Sequence, residues 1–367
     1  MHPTLVIGGG LAGAALATHL SRAGREVLLL EREAGPHDKV CGEFLSYEAQ
    51  AYLKQLDVDA ARLGAVPIGS VAVLRGRTHK TAPLTFTALS LSRRVLDEAV
   101  LARATQAGAD VRRGVRATSL ERDGAVWIAR TDTGQTIEAQ EVFLATGKHD
   151  VRGWKRPPGV QHDLLGFKMY WHLNTDSADS LDGRVELHLF AGGYAGLQKV
   201  EGDRANLCLV VRKSAFSALG GRWDALIAHL RDTCPGLKAR LEGGSPCAPR
   251  PLAIGVLPYG YVRRRSDDLW RLGDQAAVIP SFTGEGMSIA LHSARLAASF
   301  ALAGRDAGAF QRRLAQDVRG QVWRATVLTH AMVSPSSQAI IARMLNQPVM
   351  SLIVRKTRIA KGSHQES

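Results

Sequence analysis

The chain opens with a glycine-rich turn between two apolar segments, and this turn restricts its fold more than any other feature. Thr4 to Ile7 is a short apolar segment, and Gly8, Gly10 and Gly13 follow it at the spacing Gly-x-Gly-x-x-Gly. An alanine-rich segment of helical character comes next, and Glu26 to Leu30 is a second apolar segment. The order strand, glycine turn, helix, strand is that of a dinucleotide-binding βαβ unit. We therefore predict a Rossmann-like α/β domain at this end of the chain.

Each glycine has a separate steric task in such a unit. Gly8 permits the tight turn, Gly10 lets the backbone approach a pyrophosphate, and Gly13 lets the helix pack closely against the strand. The N-terminus of the helix offers free N–H groups to the phosphates. Glu31 ends the second strand, where a carboxylate accepts hydrogen bonds from ribose hydroxyls and repels a 2′-phosphate. The site therefore suits the adenosine of FAD or NAD and disfavours NADP.

A second glycine-rich segment lies far along the chain. Gly273 and Asp274 follow a short apolar strand, and a loop then leads from Pro280 to Gly284 and Gly286. Asp274 can accept a hydrogen bond from a ribityl hydroxyl. The start of the following helix can place N–H groups against the edge of an isoalloxazine that gains negative charge on reduction. Since an NAD-binding domain has no need of this second element, the two segments together predict FAD.

These motifs, together with the segment Ser92 to Asp97, resemble FAD-dependent oxidoreductases of the glutathione-reductase-2 type. That superfamily contains the group A aromatic monooxygenases, the flavin-dependent halogenases and the geranylgeranyl reductases. The resemblance covers roughly residues 1–330 and implies that Arg93 contacts the phosphate or ribityl part of FAD. Ser92 is also a suitable N-cap for its helix, with Asp97 on an exposed face.

Two further segments resemble the geranylgeranyl-reductase and halogenase branch. They are Lys39 to Ser46 and the loop from Pro280 to Gly286, which lacks a histidine. The Asp-Gly dipeptide that hydroxylases usually carry near Thr146 is missing, as is the tryptophan-halogenase motif W-x-W-x-I-P. The expected cofactor-binding residues are Gly8, Gly10, Leu11, Ala12, Gly13, Glu31, Arg32, Cys41, Gly42, Arg93, Ala145, Thr146, Gly147, Gly273, Asp274, Pro280, Gly284, Glu285, Gly286 and Met287.

A β-rich region in the middle of the chain supplies candidates for a substrate pocket. Alternation in the strand Gly166 to Leu173 places Phe167, Met169 and Trp171 on one face and Lys168, Tyr170 and His172 on the other. Cys41 is either a flavin neighbour or an inert core thiol, and Lys39 lies either near the flavin or in solvent. His149 and His172 are weak acid/base candidates, and we predict no metal site. The pocket candidates are Lys39, Cys41, Lys168, Tyr170, Tyr194, Pro280 and Phe282.

Cofactor-type motifs near both ends of the chain predict a discontinuous FAD-binding domain. We assign it residues 1–70, 90–151 and 264–330. Residues 71–89 and 152–263 form an inserted mixed β-sheet substrate domain, and residues 331–367 form a helical C-terminal segment with a basic tail. The predicted fold is therefore α/β with a second, β-rich domain.

Composition limits the partners and the compartment. Forty-seven Lys and Arg against 34 Asp and Glu give a formal charge of +13, which favours anionic partners. The tail Arg355 to Arg358, with Lys361, is either solvated surface or a contact with an anionic membrane. Four scattered cysteines and the absence of basic residues before the first apolar run indicate a reducing cytoplasm rather than export.

The resemblance implies two flavin reactions. The first is monooxygenation of a lipophilic aromatic or polyketide-like molecule through a flavin C4a-hydroperoxide, with NAD(P)H as a transient reductant. The alternative is geranylgeranyl-reductase-like transfer of hydride from reduced FAD to an alkene, which predicts a long apolar tunnel and a basic mouth such as Arg263 to Arg265. A basic nucleic-acid or membrane-binding protein without enzyme activity is the least supported alternative, and we expect no nucleic-acid partner.

Overall fold

The computed structural model describes residues 1–265 and 267–359. Within these residues the chain forms a seven-stranded and a nine-stranded sheet, with helices packed on both. The helices are α1 Leu11–Arg22, α2 Tyr47–Gln55, α3 Arg93–Gln106, α4 Thr175–Leu181, α5 Lys213–Ala218, α6 Trp223–Thr233, α7 Pro235–Leu241, α8 Gly286–Leu302, α9 Ala307–Val333, α10 Pro335–Met344 and α11 Gln347–Lys356.

Groups of strands from the first sheet alternate along the chain with groups from the second sheet. They are β1 His2–Ile7, β2 Val27–Glu31, β3 Phe44–Leu45, β4 Val66–Arg75, β5 Thr78–Ser90, β6 Asp110–Arg113, β7 Ala117–Asp123, β8 Val126–Thr131, β9 Thr136–Leu144, β10 Leu164–His172, β11 Gly183–Phe190, β12 Gly193–Val200, β13 Arg204–Arg212, β14 Ser245–Pro246, β15 Leu252–Ile254 and β16 Trp270–Arg271.

The first sheet is the predicted cofactor domain. Its strand order is β6-β2-β1-β9-β8-β7, with β16 pairing β9. The five strands β6, β2, β1, β9 and β16 are parallel to one another. Every residue of β2 is buried, as expected for a parallel strand covered on both faces. Helix α1 packs against α3 and α8, so the two glycine-rich segments lie at the same end of this sheet. The predicted α/β class with a Rossmann-like domain is confirmed.

The second sheet contains more of the chain than the sequence indicated. Its order is β14-β10-β13-β12-β11-β4-β5-β3, with β15 pairing β10. This sheet begins before the predicted boundary at residue 71, because β4 pairs with β5 from Val66, and Phe44–Leu45 also pairs with β5. Helix α2 lies between β3 and β4, and α4, α5, α6 and α7 are further helices that accompany the second sheet.

The C-terminal helices connect the two sheets. Phe310, Leu314 and Val318 of α9 are buried in the core of the cofactor domain. Met332 and Val333, at the other end of α9, pack with residues of the second sheet. Helices α10 and α11 then lie against β4 and β5. The helical C-terminal region predicted from the sequence is therefore present, and no helix in the described residues is long and apolar enough to cross a bilayer.

Candidate functional site

The first glycine turn has the geometry that its sequence predicts. Gly8 has φ +108°, and a Cβ placed on it would lie 2.5 Å from the carbonyl oxygen of Ala145. A Cβ on Gly13 would lie 1.9 Å from the carbonyl oxygen of Gly8. Both positions therefore exclude any side chain, the first by backbone conformation and contact, the second by contact alone. The close approach brings the N-terminus of α1 against the end of β1.

A cavity of about 610 Å³ opens at this turn and extends to the second glycine-rich segment. This volume lies within the usual range for ligand pockets. Most of the expected cofactor-binding residues line it, and they come from the two domains' facing elements. These lining residues are Gly8, Gly10, Leu11, Ala12, Glu31, Arg32, Cys41, Gly42, Arg93, Ala145, Thr146, Gly147, Gly273, Asp274, Gly284, Gly286 and Met287.

Three expected residues do not line this cavity. Gly13 lies behind the turn, where its task is close packing. Pro280 is buried at the start of the second loop. Glu285 lines a different cavity, described below. The sequence did not predict several other wall residues, among them Glu33, His37 and Val115 from the β2 and β6 ends of the sheet.

A charged cluster covers the first turn. Lys39 Nζ donates to Asp97 Oδ2 at 2.7 Å, and Arg93 Nε donates to Asp97 Oδ1 at 2.7 Å. A Cβ on Gly10 would lie 3.4 Å from Lys39 Nζ and 3.8 Å from the Arg93 guanidinium, so both cations stand directly over the turn. One acid and two bases leave a net positive charge beside free helix N–H groups. This donor set fits a pyrophosphate.

The burial of Asp97 corrects the alternative that placed it on an exposed face. Burial alone would raise the pKa of the Asp97 carboxyl, but the Arg93 and Lys39 charges outweigh burial and lower it. Asp97 thus stays ionised and holds the two cations in place. Ser92 does cap the helix, since its hydroxyl accepts from the N–H of Val95.

Glu31 closes the other side of the turn. Its Oε2 accepts from the N–H of Gly9 at 2.7 Å and its Oε1 from the N–H of Glu33 at 2.9 Å. The side chain is buried and lines the cavity. Because a carboxylate has about four acceptor positions, two remain for the ribose hydroxyls of an adenosine.

The second glycine-rich segment presents a helix N-terminus to the same cavity. Gly286 and Met287, the first residues of α8, line it, and no side chain in the described residues caps α8. Asp274 lines it as well, while its backbone carbonyl accepts from Arg156. The unsatisfied N–H groups of α8 fit the electron-accepting edge of a flavin. A pyrophosphate cradle and an anion-stabilising helix end thus face one cavity.

Residues 1–149 match the family model described as the FAD binding domain. The chain is a flavoprotein with an FAD-binding domain. The residues around the cavity fit FAD. Glycines allow the protein backbone to approach the pyrophosphate, Lys39 and Arg93 lie over the phosphate position, and the start of α8 offers free N–H groups to the flavin.

Curated proteins and solved structures similar to the flavoprotein match most of its length. A menaquinone reductase of Mycobacterium tuberculosis is 26% identical over 96% of this chain and 89% of that protein. A digeranylgeranylglycerophospholipid reductase of Methanoculleus marisnigri is 27% identical over 81% of this chain and 75% of that protein. The structure of the myxobacterial chondrochloren halogenase, an FAD-dependent halogenase, matches with a TM-score of 0.78 and 20% identity over 99% of this chain and 92% of that one.

The flavoprotein has a second, apolar cavity of about 140 Å³ between the nine-stranded sheet and the C-terminal helices. Its walls come from β4, β5, β11 and β12 on one side and from α9, α10 and α11 on the other. Five residues line both cavities and mark where they adjoin: Gly42, Phe44, Cys208, Ser281 and Gly284. The sequence did not predict this cavity, because each strand and helix contributes only one to three of its residues.

Glu285 is a buried carboxyl group in the wall of the apolar cavity. Its Oε2 has no hydrogen-bond partner within the described residues. Burial, reinforced by the charge of nearby Glu48, raises the pKa of Glu285 to about 8. Its carboxyl group therefore holds a proton at neutral pH.

Lys168 and Tyr170, expected in the substrate pocket, line neither cavity. The alternation along β10 is as predicted, since Phe167, Met169 and Trp171 are buried in the core that the sheet shares with its helices. The opposite face, however, points Lys168 and Tyr170 toward the cofactor domain, where both donate to the carboxylate of buried Glu43. We correct their assignment from pocket residues to a polar contact between the domains.

Glu43 itself was not singled out in the sequence. It has φ +61° and also accepts from the N–H of Arg93 and from Asn206. Burial raises the pKa of Glu43, while Lys168 opposes this shift. Since Glu43 lies between Gly42 and Phe44 at the junction of the cavities, this contact fixes the position of the junction.

The other candidates are distributed between the two cavities. Lys39 and Cys41 line the cofactor cavity, and Tyr194 and Phe282 line the apolar one. Tyr194 hydrogen-bonds Ser281 at 2.9 Å. Cys208 at the junction is inert toward ionisation, because burial raises the pKa of its thiol to about 12.

The basic mouth expected for a diphosphate substrate is not present at Arg263. Arg263 pairs with Asp267 at 2.8 Å and lines neither cavity. His149 lines the cofactor cavity beside Arg32, where burial and nearby cations lower its pKa; His172 is exposed. In the described residues no group of three or more His, Cys, Asp or Glu side chains could hold a metal ion.

Proposed function

We propose that this flavoprotein reduces a carbon–carbon double bond in a long, apolar, isoprenoid-type substrate. The observation that carries the proposal is the apolar cavity that adjoins the cofactor cavity. Its walls include Val73, Leu187, Leu189 and Ile353, and it meets the cofactor cavity at Gly42 and four other shared residues. A chain of isolated alkenes has no group to hydrogen-bond, so an apolar slot beside the flavin is the recognition surface it requires.

The names of the relatives support the same reaction class. The M. tuberculosis relative is named a menaquinone reductase and the M. marisnigri relative a digeranylgeranylglycerophospholipid reductase. Both names specify a reductase and a substrate of lipid character. A lipophilic substrate was expected from the sequence, where reduction stood second to monooxygenation.

Reduction of an alkene adds a hydride to one carbon and a proton to the other. Bound FAD in its reduced form supplies the hydride. We assign the proton to Glu285, because it is the buried, protonated carboxyl in the wall of the apolar cavity. An acid held neutral by burial is suited to this task, since it carries its proton into an environment that water does not reach.

We propose a reduced nicotinamide as the source of electrons. The sequence has one dinucleotide fingerprint, at Gly8 to Gly13, and this segment already forms part of the wall of the cofactor cavity. A nicotinamide would therefore bind transiently. Bleaching of the flavin absorbance by NADH or NADPH without oxygen tests this point, with dithionite as the positive control.

The test of the reaction is anaerobic incubation of the dithionite-reduced holoprotein with geranylgeraniol, phytyl-type and menaquinone-type substrates. The expected product is heavier by two hydrogens per double bond, with reoxidation of one flavin for each. Flavin that remains reduced in the presence of all these substrates would contradict the proposal.

Monooxygenation of a lipophilic molecule is the second candidate. The dry apolar wall beside the cofactor cavity also favours oxygen transfer, which needs a shaped pocket from which water is excluded. Labelled oxygen separates the two reactions. Label in the product would select the monooxygenase, and turnover without oxygen would select the reductase.

A further inference from the structure

The C-terminal part of the flavoprotein carries charge of one sign. Between Asp317 and Glu366 the sequence has no acidic residue. The basic residues in the same interval are Arg319, Arg324, Arg343, Arg355, Lys356, Arg358 and Lys361. Lys361 lies outside the described residues. Of the others, only Arg358 forms an ion pair within the described residues, with Glu48. The rest present uncompensated positive charge to solvent.

Large apolar side chains are exposed among these cations. Trp323 and Val327 of α9 are 68% and 52% exposed, Ile340 and Met344 of α10 are 59% and 67% exposed, and Leu352 of α11 is 44% exposed. Such residues are costly in water when they cluster. Apolar and basic residues are therefore combined on consecutive helices.

The three helices form one surface. Arg324 Nε on α9 donates to the carbonyl oxygen of Lys356 at the end of α11, at 2.7 Å. Ile341 of α10 packs with Met350 and Ile353 of α11 in one apolar cluster. The exposed apolar residues and the unpaired cations are thus held in a fixed relationship by contacts behind them.

The inner faces of the same helices line the apolar cavity. Met332 of α9, Ile341 of α10 and Met350 of α11 belong to its wall. Only one layer of helices therefore separates the cavity from the exposed apolar residues. A molecule that is insoluble in water would have the shortest route into the cavity through this layer.

We propose that the outer faces of α9, α10 and α11 dock on an anionic lipid bilayer. A bilayer of this kind offers anionic headgroups to the cations and an apolar interior to Trp323 and Met344, which together are the requirements of an interfacial helical surface. A second copy of the chain is a poorer occupant, because two acid-free surfaces would repel each other. Docking itself does not depend on the reaction; entry of the substrate from the bilayer rests on the proposed function.

The first experiment is co-sedimentation of full-length holoprotein with vesicles. Vesicles of phosphatidylcholine alone are compared with vesicles containing about one third phosphatidylglycerol, at low and high salt. We expect binding to the anionic vesicles, at least about ten-fold weaker binding to the neutral ones, and release by salt. Protein that stays in solution with anionic vesicles at low salt overturns the proposal.

Matched variants locate the surface. Leu352→Ser should weaken vesicle binding several-fold, whereas Leu302→Ser, which alters an equally exposed leucine at the end of α8, should not. Arg343→Glu should weaken vesicle binding at least about ten-fold. Arg62→Glu, which changes an arginine in the loop after α2, should leave vesicle binding unchanged. Equal losses in the test and control variants would mean that another surface binds, and the proposal would be wrong.

The fluorescence of Trp323 gives a readout that misfolding does not imitate. We expect brominated anionic lipids to quench part of the tryptophan emission of the wild-type protein, and Trp323→Phe to lose this quenching while still binding vesicles. Vesicle binding without quenching at Trp323 would place the bilayer elsewhere. If the protein instead forms a dimer that Trp323→Ala and Met344→Ala dissociate, and does not bind vesicles, the surface is a contact with a second copy of the chain. None of these measurements depends on turnover.

Discussion

Lys168 donates a hydrogen bond to Glu43, and both side chains are fully buried between the two sheets. Glu43 belongs to the loop that separates the cofactor cavity from the apolar cavity, and Lys168 belongs to strand β10 of the second sheet. Tyr170, Asn206 and the backbone N–H of Arg93 also donate to this carboxylate. The contact holds the wall shared by the two cavities against the substrate sheet.

The first prediction concerns this pair. Glu43→Gln leaves the Lys168 charge buried without its anion, and we expect it to lower the free energy of unfolding by about 3–5 kcal/mol. The double variant Glu43→Gln/Lys168→Met should recover part of this loss, because no buried charge remains. Chemical denaturation measures both. The control is Arg62→Met, which removes an exposed partner of Asp59 and should change stability by less than about 1 kcal/mol. A single variant as stable as wild type would contradict a structural role for the pair.

The second prediction separates the glycines of the first turn. Gly13→Ala places a methyl group 1.9 Å from a backbone oxygen, so we expect little folded protein. In Gly10→Ala the nearest atom to the new methyl group is Lys39 Nζ, at 3.4 Å, so the chain should fold. It should bind FAD at least about ten-fold more weakly, since the methyl group occupies the position that the pyrophosphate approaches.

The ratio of flavin absorbance to protein absorbance after purification measures these effects. Gly255→Ala is the control, because a Cβ there meets nothing within 4 Å and the backbone does not have a positive φ. Full flavin content in Gly10→Ala would show that the pyrophosphate does not approach this residue.

The third prediction is a pH dependence set by Glu285. Its folded-state pKa of about 8 exceeds its ordinary value of 4.5, so between these values the unfolded chain releases a proton that the folded chain retains. Stability should therefore fall as pH rises from 4.5 to 8 and level off above 8, and the loss at pH 7 is on the order of 3 kcal/mol. Glu285→Gln should lack this component. Thermal unfolding of both proteins from pH 5 to pH 9 measures it.

The same residue controls the proposed proton transfer. Product formation by the wild-type protein should decline above about pH 8, as Glu285 loses its proton, and Glu285→Gln should be at least about 100-fold slower at every pH, in line with the usual contribution of a general acid. Flavin reduction should be unaffected in the variant. Equal rates in both proteins would show that Glu285 is not the proton donor, while the proposed reduction of a double bond would still stand.

The fourth prediction concerns the apolar cavity. Gly196 lines it, and a Cβ there makes only ordinary contacts, 3.6 Å from Cys208 O and 3.8 Å from Leu187. Gly196→Val should therefore fold and bind FAD normally but narrow the cavity, and turnover of a long substrate should fall at least about ten-fold more than that of a short one. Gly69→Val, on the exposed side of β4, is the control. Loss of both substrates in equal measure would mean that the cavity does not hold the chain.

The cofactor site was largely predictable because its requirements are local. The spacing Gly8, Gly10, Gly13 specifies a turn, and the residues after Gly273 specify a second one, so each could be recognised within about fifteen residues. Asp97 is an exception that helical periodicity alone would have placed correctly. It lies three and four positions before Val100 and Leu101, on the buried side of α3, and only the tertiary structure shows that Lys39 pairs with it there.

The start of the second sheet before residue 71 has a tertiary cause. Phe44–Leu45 is too short to be recognised as a strand, and its pairing with β5 is decided by residues more than forty positions away. Lys168 and Tyr170 were correctly placed on one face of a strand, yet the sequence offered no signal that the face meets Glu43 rather than a ligand.

The sequence by itself determined the FAD fold, because close backbone contacts at Gly8 and Gly13 are encoded by single residues with no side chain. Only the tertiary structure decided where an apolar substrate would lie, since each strand and helix of the cavity wall contributes no more than three residues. The buried proton on Glu285 likewise arises from what surrounds the side chain: a carboxyl becomes a neutral acid only when the fold removes its water.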